Sequence, residues 1–281
     1  MTLSEMNQLL AERGIQLTKS LGQNFMHDAN QVRRIIAAAE LTRADRVLEI
    51  GPGLGPLTEQ LLASAGHILA VEKDQRFIPL LTERFAANLK DGALELTPGD
   101  ALELVARDPR DWTDWKLVAN LPYSVASPIL VEFALARTCP QRIVVTLQLE
   151  VARRLFARRD DDDYGVLSLL TQLRYLPGEW FKIPPGSFFP SPEVDSACVC
   201  LRRRPQPLLE PELTRTFTRL VKRGFSQRRK MMLKLLKAEW PLEALNRAFA
   251  HLELSPQIRA EAVSLDQFVA LTRFLAGGNP L

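Results

Sequence analysis

Between Arg46 and Leu147 short apolar runs alternate with stretches of helical spacing, and this alternation restricts the fold more than any other feature of the 281 residues. The runs are Arg46–Ile50, Ile68–Glu72, Leu94–Thr97, Leu117–Ala119 and Ile143–Leu147. They are short and apolar on successive positions, as expected of strands covered on both faces. Leu57–Ala65, Phe77–Leu89 and Pro128–Ala136 carry helical spacing between them. Repeated strand–helix–strand units close into a mostly parallel sheet with helices on both sides, so the expected class is α/β.

The composition, 46% hydrophobic and 25% charged, is that of a globular protein. No apolar run approaches the roughly 18 residues of a membrane span, and Leu3–Arg13 reads as a polar amphipathic helix, not a secretory leader. Cys139, Cys198 and Cys200 form no Cys-x-x-Cys pair, the last two reading as same-face residues of one strand, Ala197–Leu201. That usage fits a reducing cytoplasm, the expected location. His27, His67 and His251 are scattered, so no metal site is expected.

The net charge of +3 is unevenly spread: from Arg202 to Lys237 twelve Lys or Arg face only Glu210 and Glu212, a local +10 against −7 elsewhere. This asymmetry points to a polyanion-binding surface toward the carboxy terminus. Arg202–Pro211, with Pro205, Pro207 and Pro211, reads as a linker. Beyond it the pattern is helical to Leu275, with Leu213, Phe217, Leu220 and Val221 on one face. The expected division is a catalytic stretch at 1–203, including the amino-terminal helix, and a helical one at 208–281.

Glu49-Ile50-Gly51-Pro52-Gly53-Leu54-Gly55 follows the first run and opens a helix. Glycines at Gly51 and Gly53 let backbone approach a ligand closely. The third glycine of the dinucleotide fingerprint is replaced by Pro56, a departure from the pyrophosphate pattern. Glu72 ends the second run, where a carboxylate accepts from both hydroxyls of a ribose. Gly99-Asp100 follows the third and supplies a carboxylate for an adenine amine. An adenosine-type ligand without an obvious phosphate suits S-adenosyl-L-methionine.

Asn120-Leu121-Pro122-Tyr123 follows the fourth run, beside the same crevice. An adenine N6 is a poor nucleophile because its lone pair is delocalised into the ring. Accepting both of its N–H groups, on the Asn120 side-chain oxygen and the Leu121 carbonyl, favours a pyramidal nitrogen with a localised lone pair. Pro122 fixes the loop and Tyr123 offers a stacking face. In Pro185–Pro192 either Phe188 or Phe189 is placed to close on an extruded base; a hydrophobic plug is the plainer reading of that composition.

These residues resemble the small-subunit (16S) ribosomal RNA adenine N6,N6-dimethyltransferases, the KsgA/RsmA group. The likeness runs from Lys19 to Lys230 through six motifs in order. They are Lys19-Ser20-Leu21-Gly22-Gln23-Asn24-Phe25, the Glu49–Gly55 loop, Asn120-Leu121-Pro122-Tyr123, Tyr164-Gly165-Val166-Leu167-Ser168, Phe188–Ser196 and Phe225-Ser226-Gln227-Arg228-Arg229-Lys230. The resemblance implies a Rossmann-like class I S-adenosylmethionine-dependent methyltransferase sheet with a smaller all-helical carboxy-terminal domain. It implies cofactor contacts at Asn24, Met26, Gly51, Gly53, Glu72, Asp100 and Asn120, amine positioning at Asn120 and Leu121, and stacking on Tyr123 and Phe188. The implied substrate is a pair of adjacent adenines in a hairpin near the 3′ end of 16S rRNA, met in an assembling small subunit by a monomeric enzyme. Arg202, Arg203, Lys222, Arg223, Arg228, Arg229 and Lys230 then become candidate phosphate contacts.

Ser124-Val125-Ala126 departs from the family's more usual Asn-Ile-Ser or Asn-Ile-Thr, and the acidic run Asp160–Asp163 is left out of the RNA footprint because it repels phosphates. Three rivals share parts of the pattern. A large-subunit rRNA adenine methyltransferase usually shows Asn-Ile-Pro-Tyr and lacks Phe-Ser-Gln-Arg-Arg-Lys. A DNA adenine methyltransferase needs a target-recognition insert. A non-catalytic assembly factor would not need both loops intact.

Overall fold

The computed structural model of the chain describes residues 1–17, 23–107 and 110–277. Lys19, Ser20, Leu21 and Gly22, the front of the first family motif, lie outside the described residues.

The chain divides into two compact units, residues 1–152 with 177–203, and residues 153–176 with 204–281. The first is built round a seven-stranded sheet. In chain order the strands are β1 (Phe25–Met26), β2 (Arg46–Ile50), β3 (His67–Glu72), β4 (Leu94–Pro98), β5 (Trp115–Asn120), β6 (Arg142–Gln148), β7 (Tyr175–Ile183), β8 (Phe188–Phe189) and β9 (Ser196–Arg203). The sheet runs β4-β3-β2-β5-β6-β9-β7, while β1 and β8 form a separate two-stranded ribbon. β2 pairs in parallel with β3 and β5, β3 with β4, and β5 with β6. The antiparallel neighbour of β6 is β9. Central strands flanked on both faces have no side for water, and Val47, Leu48, Leu117, Val118 and Val144 are accordingly fully buried. The α/β class read from the alternation is the one observed.

Local details differ where tertiary contacts intervene. The helix expected at Pro128–Ala136 starts at Tyr123 and runs to Leu135 with Pro128 inside it. The stretch Phe77–Leu89 is two helices, Ile78–Arg84 and Ala86–Lys90, broken at Phe85. β8 is held by the segment before the helix Ala29–Ala39. The His27 N–H donates to the Ser187 carbonyl at 3.0 Å, and the Ser187 hydroxyl bonds the Asp28 carboxylate at 3.1 Å. The paired residues are Phe25 with Phe189 and Met26 with Phe188.

The second unit is helical. Phe217, Leu220 and Val221 of the helix Thr214–Gly224 are buried as the periodicity requires, Leu213 only half so. Phe225 stacks on Phe268 at 6.1 Å, and the Tyr164 hydroxyl donates to the Val263 carbonyl at 3.0 Å. Residues 153–176, expected with the catalytic stretch, belong here. Their bonds are non-local: the Gln172 amide donates to the Leu155 and Ala157 carbonyls, each at 2.9 Å, and Tyr164 reaches Val263. Among the described residues no helix is long and apolar enough to cross a membrane.

Candidate functional site

The carboxyl ends of β2, β3, β4 and β5 open on one cleft. Open α/β sheets bind ligands at this edge, where each loop leaves its strand. Gly51 and Gly53 carry the floor after β2 and take positive φ, +70° and +57°. A Cβ on Gly53 would stand 2.4 Å from the Phe25 ring, so no other residue fits without displacing it. Pro122 covers Gly51, with its ring 3.6 Å from where a Cβ would be. The two loops, which follow the adjacent strands β2 and β5, therefore pack against each other where they line the cleft.

Glu72 closes β3 and is 6% exposed. Its two oxygens accept the Gly53 N–H at 3.0 Å and the Asp74 N–H at 2.8 Å. A carboxylate oxygen has two lone pairs, so each keeps one for a ligand hydroxyl. Burial raises the Glu72 pKa, against the pull of these backbone donors. Asp100, after β4, accepts from the Lys73 ammonium at 2.9 Å and the Leu102 N–H at 2.8 Å, and the lysine holds its carboxyl below the usual range. Asp74 in turn takes the Arg76 guanidinium and the Gln23 amide, which draws residue 23 to the rim. Behind the glycine loop Glu49 is fully enclosed, and burial pushes its carboxyl up to about 8.

On the acceptor side the Asn120 Nδ2 donates to the Asn24 carbonyl at 2.7 Å, and the Thr146 hydroxyl donates to Asn120 Oδ1. The Leu121 N–H bonds the Thr146 carbonyl at 3.2 Å. Tyr123 lines the cleft half-buried, its hydroxyl 2.6 Å from that of Ser196. Burial raises the Tyr123 pKa, so the phenol stays neutral at physiological pH. Such an arrangement offers paired ribose and adenine acceptors on one wall, and a rigid amide oxygen beside an aromatic face on the other.

Nine of the expected site residues line this single cleft: Asn24, Gly51, Gly53, Glu72, Asp100 and the four of Asn120–Tyr123. Met26 and Phe188 do not. Each is 3% exposed and packed in the core, at paired positions of the β1–β8 ribbon. In the ligand-free chain Phe188 is part of the first unit's hydrophobic core, packed with Phe25 and Met26. Of the basic residues, Arg203 is consumed internally, donating to the Thr113 and Cys139 carbonyls at 2.8 and 2.7 Å. Arg202 is exposed and 3.4 Å from Glu40. In the second unit Arg223 donates to the Leu235 carbonyl and Arg228 to the Asp162 carbonyl, while Lys222, Arg229 and Lys230 are exposed. Lys73, Asp74 and Thr146 were not singled out in the sequence. Glu72-x-Asp74 was a usable signal for the second, whereas Thr146 carries none outside its cross-strand register with Asn120.

Residues 14–277 match the family model described as ribosomal RNA adenine dimethylase. A protein of Geobacter metallireducens named ribosomal RNA small subunit methyltransferase A is 40% identical over 266 residues, 92% of this chain and 96% of the relative. One of the same name from Pelotomaculum thermopropionicum is 40% identical over 291 residues, 97% of this chain and 96% of the relative. Among solved structures, a dimethyladenosine transferase from Plasmodium falciparum has a TM-score of 0.72 at 25% identity, over 88% of this chain and 95% of that one. The 23S rRNA methyltransferase ErmE has a TM-score of 0.66 at 28% identity, over 90% of this chain and 100% of that one.

Proposed function

The chain belongs to the ribosomal RNA adenine dimethylase family, and from that premise we propose that it transfers methyl groups from S-adenosylmethionine to adenine N6 in small-subunit ribosomal RNA, giving N6,N6-dimethyladenosine. The observation that carries this reading is one cleft lined by the Gly51 loop, Glu72 and Asp100 together with Asn120-Leu121-Pro122-Tyr123. The finer substrate is two adjacent adenines of a 16S hairpin, reached during subunit assembly in the cytoplasm by a monomer.

The donor set fits the cofactor. Glu72 would keep an acceptor site on each oxygen for the ribose hydroxyls, beside the positive-φ glycines Gly51 and Gly53 that line the same cleft. Asp100 takes the adenine amine in competition with Lys73. When bound, S-adenosylmethionine supplies a methyl on a sulfonium, an already activated leaving group. Asn120 Oδ1 and the Leu121 carbonyl accept the two N–H groups of the target amine, and Tyr123 stacks on its base. Positioning and electrostatic stabilisation at the amine then carry the rate, and the proton leaves the alkylated nitrogen for water without a strong base. Lys222, Arg229 and Lys230 contact the RNA backbone.

The test is transfer of labelled methyl groups to unmethylated small subunits, large subunits and duplex DNA, with nucleoside analysis. Dimethyladenosine is expected in the small subunit alone, falling about 100-fold or more in Asn120→Ala, the scale of losing one transition-state hydrogen bond. The likeness to ErmE motivates the large-subunit arm, and label there would overturn the small-subunit assignment. Tight RNA binding with no label anywhere would leave an assembly factor.

A further inference from the structure

The amine-accepting pair is anchored from behind by one residue that does not touch the cleft. Thr146 lies on β6 directly across from Asn120 on β5, with Cys198 of β9 on its other side, and is completely buried. Its hydroxyl donates to Asn120 Oδ1, and its carbonyl accepts the Leu121 N–H at 3.2 Å. At the far end of the same side chain, Asn120 Nδ2 donates to the Asn24 carbonyl at 2.7 Å. A carbonyl can only accept, so the amide must present nitrogen to Asn24 and oxygen to Thr146. The opposite rotamer would set two acceptors against each other at Asn24.

We propose that Thr146 is a positioning residue for methyl transfer, its hydroxyl locking the Asn120 amide so that Oδ1 keeps a single lone pair aimed at the target amine. An amide oxygen accepts two hydrogen bonds. With one taken by Thr146, the remaining site on Asn120 and the Leu121 carbonyl match the two N–H groups of an unmethylated adenine. After the first methyl transfer only one N–H is left. The singly methylated amine is then oriented by a single bond, and freedom in the acceptor weakens the second transfer more than the first.

This inference rests on the adenine-dimethylating reading above. It is tested by single-turnover methyl transfer to unmethylated small subunits with Thr146→Val, which keeps the shape and removes the hydroxyl, and Thr146→Ser, which keeps the hydroxyl. Val is expected to slow transfer about tenfold to 100-fold, the range for a small misplacement of reacting groups. Its KM for subunits and its affinity for S-adenosylmethionine should stay within about twofold, and N6-methyladenosine should accumulate over the dimethylated product. Ser should restore both rate and product ratio. In an Asn120→Ala background Thr146→Val should change nothing further. Should Val not fold, Thr146→Cys, with a weak donor, is expected to fall between wild type and Asn120→Ala. A Val or Cys variant as fast as wild type with an unchanged product ratio overturns the inference, as does a Ser variant no faster than Val. An inactive wild type would instead sink the functional reading itself.

Discussion

Replacing Glu49 by Gln should stabilise the ligand-free protein increasingly as pH rises. Glu49 is 1% exposed, and its Oε2 meets no hydrogen-bond partner among the described residues. Burial holds its carboxyl at about 8 against an ordinary 4.5, opposed by Thr58 and reinforced by the charge of Glu72. Between those values the folded protein holds a proton that the unfolded chain has already released. The stability associated with this group is complete below 4.5 and falls by about 1.4 kcal/mol per pH unit up to about 8. By pH 7 the loss amounts to about 3 kcal/mol. Glutamine has the same shape and ionises in neither state, so it removes the pH-dependent part and leaves a constant offset on the order of 1 kcal/mol from exchanging acid for amide. Urea unfolding at a series of pH values reads the difference directly. The gap between variant and wild type should widen by about 1.4 kcal/mol per unit from pH 5 to 7.5. A gap that stays flat over that range would show that Glu49 is ionised in the fold and refute the reasoning.

Gly53→Ala should destabilise the protein by roughly 2–4 kcal/mol and abolish cofactor binding, because φ is +57° and the added carbon meets the Phe25 ring at 2.4 Å; thermal melting and calorimetric titration check both. Glu72→Gln should lower affinity for S-adenosylmethionine at least tenfold, because the amide NH2 that replaces one oxygen cannot accept; the same group set against the Gly53 or Asp74 N–H should cost roughly 1–3 kcal/mol of fold stability, and calorimetric titration and thermal melting check both. The triple variant Lys222→Ala, Arg229→Ala, Lys230→Ala should flatten the dependence of log affinity for RNA on log salt by roughly 0.7 to 0.9 for each phosphate that is no longer neutralised, without altering affinity for S-adenosylmethionine.

Much of the cofactor wall is legible in the chain because it obeys local rules. A strand that ends in the crevice delivers the next few residues there, so Gly51, Glu72, Asp100 and Asn120 follow from where the apolar runs stop. Positions that depend on a partner far along the chain are not legible in that way. Met26 and Phe188 sit in motifs associated with the site, yet their pairing 162 residues apart turns both into core residues. Arg203 counts as a positive charge in composition, but two carbonyls of the first unit consume its guanidinium. The extent of the helical unit is not legible for the same reason, since the Tyr164 hydroxyl donates to the Val263 carbonyl and the Gln172 carbonyl accepts from Arg204 Nε.

The amino-acid sequence by itself determined the layered α/β architecture, the glycine loop and the Asn120–Tyr123 tetrapeptide. Each is written in periodicity, turn chemistry or residue type within a few neighbouring positions. Only the tertiary structure decided which of the flagged side chains share a cleft and how they are held in it. Thr146 illustrates the difference: a threonine in an apolar strand carries no signal of its own. Its role arises from the β5–β6 register, which sets its hydroxyl against the Asn120 amide and its carbonyl against Leu121. Register is fixed by the burial of whole strands, a collective property that no short window of sequence contains.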